Sequence, residues 1–335
     1  MQGLRFVQAD PIRSPARAQD LILRQRVRGY LAGQLEAEYA SLALEEGYLF
    51  AYGFMRPDLW RSMLPVSSRP LAAEERAVLD CIVQRGPTHP RDLDTSFGKR
   101  SVVNAWGGKS LASKRILERL HDEGLLRVCR REKGIRVYEQ AISAGAPERS
   151  KADRFGELLM TALRIFGPVR ESFLLSELSA HNGLVPVRRD RLALVEALVA
   201  GGRCSRVSVD DVVYLWIPEN WPEGSVEKTL RILAPFDPVV RDRQRFEHLW
   251  GWSYRFEAYV PAAKRKLGYY AMPLCWGDRM IGWANAKVLD EALTVEFGYS
   301  SQAPKEKAFR KMAEQEVESL ATFLGLDSGA WRLRI

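Results

Sequence analysis

One succession of elements occurs twice in this sequence: a helix, a short helix, a third helix and a β-hairpin. The first full copy begins at Leu71. Over 74–85 the apolar residues Val78, Leu79, Ile82 and Val83 fall on helical spacing, and Gly86-Pro87 stops the helix. Residues 91–97 suit one or two helical turns. Ser110 is placed to cap the next helix, which carries Leu111, Ile116, Leu117 and Leu120 and is closed by Gly124. Strands follow over 125–131 and 135–140, joined by a Lys133-Gly134 turn. The second copy starts near Asp153. Phe155, Leu158, Leu159, Ala162 and Leu163 mark one helical face, and further helices are predicted over 171–180 and 191–200. Gly201-Gly202 ends the last of these, and 204–209 with 212–217 form a hairpin around Asp210-Asp211.

This order fits the winged helix-turn-helix, in which one helix enters the DNA major groove. The N-terminal region resembles a clipped copy: helices over 16–30 and 34–46, then an aromatic strand over 48–54. Beyond Pro222 the texture changes to strands at 230–235, 254–260, 268–273, 279–288 and 293–298, with turn signals at Gly277-Asp278 and Asp290-Glu291. A helix over 305–324, carrying Phe309, Met312, Val317 and Leu320, closes the chain. The predicted class is α+β: tandem winged helix-turn-helix units, then a C-terminal β-barrel-like domain with a closing helix. The domains are 1–70 (a partial first unit), 71–148, 149–222 and 223–335.

Charge supports a polyanionic partner. Among 335 residues, 50 Lys and Arg outnumber 42 Asp and Glu, for a net +8. Lys109, Lys114, Arg115 and Arg119 lie on or beside the third helix of the central copy. Arg127, Arg130, Arg131, Lys133 and Arg136 crowd the hairpin after it, where Glu132 alone opposes them locally. A helix with a basic wing predicts phosphate contact, although a pair such as Lys114 with Glu118 also suits a solvated charged face. The second wing has an acidic tip, Asp210-Asp211, so that unit is a scaffold or uses Arg188, Arg189 and Arg191. Lys264, Arg265 and Lys266 form a further basic cluster between two predicted strands. Cys81, Cys129, Cys204 and Cys275 are far apart, as are the four histidines, and none shows metal-site spacing. The first ten residues lack the apolar core of a signal peptide, and no apolar run nears the roughly 20 residues of a membrane span. The expected setting is reduced and cytoplasmic, at the nucleoid in a bacterium.

The candidate chemistry lies in the segment Arg5-Phe6-Val7-Gln8-Ala9-Asp10-Pro11. In an extended chain, residues two apart share a face, so Gln8 and Asp10 project together. An amide and a carboxylate side by side can hold a water, Gln8 orienting it and Asp10 accepting its proton. The carboxylate can also stabilise an oxocarbenium-like transition state. Spacing alone leaves open a surface or turn triplet without chemistry.

The stretch Gly3-Leu4-Arg5-Phe6-Val7-Gln8-Ala9-Asp10-Pro11-Ile12, followed by Ala16-Arg17-Ala18, resembles the DNA glycosylases related to AlkZ and YcaQ. Its Gln-x-Asp form is similar to the YcaQ branch rather than to the Gln-x-Gln of AlkZ. Further similar blocks are Pro235-Phe236-Asp237-Pro238-Val239-Val240-Arg241-Asp242-Arg243, Trp250-Gly251, Tyr254-Arg255-Phe256-Glu257, Tyr259-Val260-Pro261-Ala262-Ala263-Lys264-Arg265, Gly268-Tyr269-Tyr270 and Gly277-Asp278-Arg279. The resemblance implies tandem winged helices around a concave surface. It also implies a monofunctional glycosylase for base excision repair of N7-alkylated purines, interstrand crosslinks included. Such an enzyme would act as a monomer on damaged duplex DNA, with Gln8 and Asp10 catalytic and no metal or organic cofactor. An N7-alkylated base carries positive charge and leaves without a general acid, and an open DNA surface accepts a base tethered to the other strand where a closed flipping pocket would not. The sequence departs from the family pattern twice. Family members usually carry more residues before the Gln-x-Asp segment, completing the first winged helix. The YcaQ branch often reads Tyr-Trp-x-His where this chain has Tyr52-Gly53-Phe54-Met55.

Other features point elsewhere. Trp250, Trp252, Tyr254, Phe256 and Tyr259 alternate like a core strand, with base stacking as the second reading. Asp237, in a Phe-Asp-Pro turn, suits capping of a backbone amide. Gly107-Gly108-Lys109-Ser110 lacks the first glycine of a phosphate loop. Two other functions fit parts of the pattern: a non-enzymatic winged-helix regulator, which would dimerise on a palindrome, and RNA binding by the β domain.

Overall fold

The computed structural model describes residues 3–65, 69–98, 101–103, 109–141, 149–218 and 227–335. The fold is mixed α+β and divides into two compact units. One comprises Met1–Phe6, Leu35–Ala162 and Leu175–Leu198; the other comprises Val7–Gln34, Leu163–Leu174 and Val199–Ile335.

The first unit opens with strand β1 (Phe6–Gln8), through which the chain leaves it, and resumes at a short helix, Gln34–Ala37. Strands β2 (Glu45–Tyr48) and β3 (Tyr52–Met55) form a hairpin, and the sheet order is β1-β3-β2. This differs from the predicted helix through 46 and single strand over 48–54. Gly47 pairs with Gly53 across the ladder, and a Cβ on Gly47 would lie 3.1 Å from Trp60. Two opposed glycines favour a close-packed hairpin over a helix. Glu46 points inward from β2 and is fully buried.

The central succession then appears as helices Ala73–Arg85, Pro90–Phe97 and Ala112–Asp122. Strands β4 (Ser101–Val103) and β5 (Lys109–Leu111) pair between the last two helices. Strands β6 (Leu126–Glu132) and β7 (Ile135–Gln140) form the hairpin, and Thr88 bridges to Tyr138. Ser110 does not cap the third helix. It sits in β5, and the helix starts from an extended Leu111 at φ −71°, ψ 140°. Val78, Ile82, Leu117 and Leu120 are fully buried, as are Val128 and Val137 of the hairpin, but Val83, read onto the same face as Val78, is 46% exposed.

The next succession runs through helix Lys151–Phe166, a short strand β8 (Val169–Arg170), and helices Glu171–Glu177 and Arg188–Ala200. Strands β9 (Ser205–Val209) and β10 (Val212–Trp216) follow, and β8 pairs with β10. The rest of the second unit is a five-stranded sheet of β11 (Leu230–Ile232), β12 (Met272–Trp276), β13 (Arg279–Leu289), β14 (Ala292–Tyr299) and β15 (Trp331–Arg334), in that order. All neighbours are antiparallel except β14 and β15. Helix Lys307–Phe323 buries Phe309, Ala313, Val317, Leu320 and Phe323, with Phe309 edge-on to Trp276 at 5.4 Å.

Residues 254–260 are irregular rather than the predicted strand. Side chains supply the anchors a ladder would have given. Trp250 Nε1 donates to Asp278 O (2.8 Å), Trp252 Nε1 to Met280 O (2.9 Å) and Tyr254 Oη to Ala271 O (2.6 Å). The Phe246 ring lies 5.0, 5.1 and 5.7 Å from Trp250, Trp252 and Tyr254. Those rings belong to a core cluster, as expected, but Tyr259 is 78% exposed.

Residues 7–34 belong to this second unit. Arg24 pairs with Glu316 (2.9 Å), Gln25 Nε2 donates to Ile232 O (3.2 Å), and Tyr30 stacks on Phe323 at 6.3 Å. These bonds tie the segment after Asp10 to the closing helix and to β11. No described helix is long and apolar enough to cross a membrane.

Candidate functional site

Gln8 ends strand β1, and Asp10 lies two residues on, beyond the strand. Both are partly buried, whereas Val7 is 1% exposed. Asp10 Oδ1 accepts the Ile12 backbone N–H (2.9 Å), a local turn that turns the carboxylate back on its own chain. The Asp10 N–H donates to Gln19 Oε1 (3.4 Å), and Gln19 is buried in helix Ala18–Arg24. Burial raises the Asp10 carboxyl above its ordinary value, and the Ile12 N–H offsets part of that rise.

Gln8 has a distant partner. Arg241 Nη1 donates to Gln8 Oε1 at 2.5 Å. A guanidinium only donates, so the bond fixes the amide with its oxygen toward Arg241 and its N–H pair on the other side. Arg241 ends the short helix Pro238–Arg241, which Asp237 caps by accepting from Val239 N (3.0 Å). Arg26 grips the fully buried Asp237 through two bonds of 2.7 and 2.9 Å. Asp242 caps the following helix at Arg245 N (3.1 Å) and accepts from Arg170. The acids of the Phe236–Arg243 block thus hold backbone and arginines, and Arg241 reaches Gln8. The sequence reading missed Arg241 and Gln19. Arg241 stands within a block singled out by the resemblance, but no local spacing ties it to Gln8.

Tyr270 was also missed. Its ring is buried, and its hydroxyl has no hydrogen-bond partner among the described residues. Burial and then the nearby Asp10 charge push its pKa upward. Among the described residues no cluster of His, Cys, Asp and Glu is placed to hold a metal.

The basic wing is more neutralised than its local sequence indicates. Arg127 meets Glu45 (2.9 Å) and Glu139 (2.7 Å), Arg131 meets Glu46 (2.6 Å), and Arg136 lies 3.8 Å from Glu46 with its guanidinium 4.0 Å over the Tyr52 ring. The acids on β2 come from outside the hairpin, so Glu132 is not the only counter-charge. Arg119 pairs with Glu75 (3.2 Å) and Glu123 (3.3 Å), and Lys114 with Glu118 (3.9 Å). The acidic partner of Arg130 among the described residues is the exposed Glu132 (2.7 Å). Arg115, Lys133, Lys264 and Lys266 are exposed without an acidic partner among the described residues. The Lys109 side chain lies outside the described residues. A separate cleft of about 830 Å³ in the first unit is lined by Tyr48, Tyr52, Trp60, Glu118, Asp122 and Arg136, among others.

The class of this basic α+β chain is given by its relatives. Residues 1–323 match the family described as DNA glycosylase AlkZ-like. The chain belongs to that family, and a DNA glycosylase role goes with it. Its fold is similar to that of the Streptomyces sahachiroi DNA glycosylase AlkZ, with a TM-score of 0.64 and 15% identity over 98% of this chain and 91% of that one.

Proposed function

We propose that this chain is a monofunctional glycosylase that hydrolyses the N-glycosidic bond of N7-alkylated purines in duplex DNA, crosslinked guanines included. The reading groups its helices and hairpins as tandem winged helix-turn-helix units, the first partial, ahead of a barrel-like β domain. The observation that carries it is the Arg241 clamp on Gln8 beside a half-buried Asp10. With Gln8 Oε1 engaged by Arg241, its amide N–H group orients the attacking water, and ionised Asp10 takes the proton as the water oxygen bonds to C1′. The same carboxylate balances positive charge on the sugar. The alkylated base departs with the electron pair of the breaking C1′–N9 bond, which neutralises its own charge, so no general acid is needed. Lys109, Lys114, Arg115, Arg130, Lys133, Lys264 and Lys266 serve as phosphate contacts.

Wild-type protein is expected to release 7-methylguanine from a methylated duplex while leaving an unmethylated duplex intact. Tight binding to either duplex without base release would instead indicate a non-enzymatic DNA binder. The pH profile gives a second check. Asp10 must be ionised to act as base, so kcat/KM should rise with pH. Because burial raises its pKa, the inflection should lie above the ordinary value of 3.8. A rate that falls from about pH 4 to about pH 7 would remove the base role.

A further inference from the structure

The segment from Tyr254 to Tyr270 is irregular, yet it is tied down at many points. Glu257 is 6% exposed, and its Oε2 accepts the backbone N–H groups of Lys266 (2.8 Å), Leu267 (2.7 Å) and Gly268 (3.2 Å). Asn285 Nδ2 donates to Leu267 O (2.8 Å), and Arg265 Nε donates to Val260 O (2.8 Å). Gly268 has φ +126°, and a Cβ there would lie 2.2 Å from Asn285 Oδ1, so the tight return needs glycine. The Arg265 guanidinium lies 5.0 Å over the Tyr269 ring. Arg265 is thus committed within the loop, leaving Arg255, Lys264 and Lys266 as its exposed cations.

Two aromatic rings of the segment are exposed, Tyr269 at 44%, beneath the Arg265 guanidinium, and Tyr259. Tyr259 is 78% exposed, the highest value among the described large hydrophobic side chains. Among the described aromatic rings Phe256 is its partner, edge-on at 6.1 Å. Phe256 in turn meets the buried Tyr270 at 5.3 Å, and the Tyr270 hydroxyl lies within electrostatic reach of both Tyr259 and Asp10. A row of rings therefore leads from Asp10 outward to a ring standing in water beside two unpaired lysines. A rigid exposed aromatic next to cations matches a polyanion that carries flat apolar faces, which is a nucleic acid.

We propose that Tyr259 stacks on DNA bases next to the nucleotide whose glycosidic bond faces Asp10, with Lys264 and Lys266 on the flanking phosphates. The placement beside the reacting nucleotide rests on the glycosylase reading above. Stacking by an inserted ring offsets the cost of parting neighbouring bases, which exposes the sugar to the attacking water. It is tolerant of sequence because every base has a π face.

The test uses the full chain and a duplex with 2-aminopurine beside a stable abasic-site analogue, so no turnover is needed. Tyr259→Ala should weaken binding on the order of 5- to 100-fold and remove the 2-aminopurine fluorescence change while leaving the salt slope unaltered. Tyr259→Phe should retain both affinity and fluorescence change. Lys264→Gln with Lys266→Gln should flatten the log–log salt slope by about 2. Unchanged affinity and fluorescence in Tyr259→Ala, or equal loss in Tyr259→Phe, would overturn the stacking role; melting curves exclude misfolding as the cause. The two readings separate cleanly. A Tyr259-dependent fluorescence change with no release of methylated base would keep the stacking role and remove the substrate proposal. Base release at the wild-type rate by Tyr259→Ala, with fluorescence unchanged, would do the reverse.

Discussion

Asp10→Asn is expected to lower base release from methylated duplex by about 10²- to 10⁴-fold, the usual contribution of a positioned base, with little change in DNA affinity. The substitution suits the test because Asn keeps the structural bond. Its side-chain oxygen can still accept the Ile12 N–H that Asp10 Oδ1 accepts at 2.9 Å. The sign of the stability effect separates function from fold. The carboxyl's pKa is raised in the folded chain, chiefly by burial. Its ionised form is therefore disfavoured in the native state relative to the unfolded one. That penalty is absent below the unfolded value, grows as pH rises through the folded value, and is full above it. Asp10→Asn removes it, so the variant should melt no lower than wild type near neutral pH while losing its chemistry. Melting well below wild type together with lost DNA binding would mark Asp10 as structural, and retained base release would dismiss it as the base.

The local signals in the sequence were legible wherever the chain's own chemistry decides the structure. Lys133, Asp210, Asp211, Asp290 and Glu291 all adopt positive φ, and each lies in a hairpin turn that turn-forming residues mark in the sequence. Leu117, Leu120, Phe155 and Leu158 recur at helical spacing and are fully buried. The Gln-x-Asp pair was visible as a spacing, but its clamp was not, since Arg241 reaches Gln8 across 233 residues. Nor does alternation distinguish a strand from an anchored loop. Trp250, Trp252 and Tyr254 alternate as a core strand would, yet their polar ends hold backbone carbonyls instead of a ladder. Tyr259 continues the same alternation and ends up in solvent. Charge misleads for a related reason: the hairpin's own acids are Glu132 and Glu139, while Glu45 and Glu46 arrive from β2.

That last point sets the second large effect. Arg131→Ala is expected to destabilise the protein by about 3 kcal/mol, the low end for breaking a buried ion pair. Glu46 is fully buried, and Arg131 binds it through two bonds of 2.8 and 2.6 Å. Burial works against the Arg131 charge, but the Glu46 carboxylate outweighs it and holds the guanidinium pKa above its ordinary value. Without Arg131, the carboxylate keeps the Tyr52 hydroxyl (2.8 Å) and Arg136 at 3.8 Å, which limits the loss without cancelling it. Arg130→Ala, by contrast, removes a pair between two exposed groups and should shift stability by no more than about 0.5 kcal/mol. The prediction therefore assigns opposite phenotypes to adjacent wing residues: Arg131→Ala lowers Tm, while Arg130→Ala leaves Tm and flattens the salt dependence of DNA binding. Because the Arg131 effect is mostly the stranded carboxylate, Glu46→Gln in the same chain as Arg131→Met should recover much of the lost stability. If Arg131→Ala instead keeps the wild-type Tm and binds DNA weakly, Arg131 is a phosphate contact and the Glu46 pair contributes little to the fold.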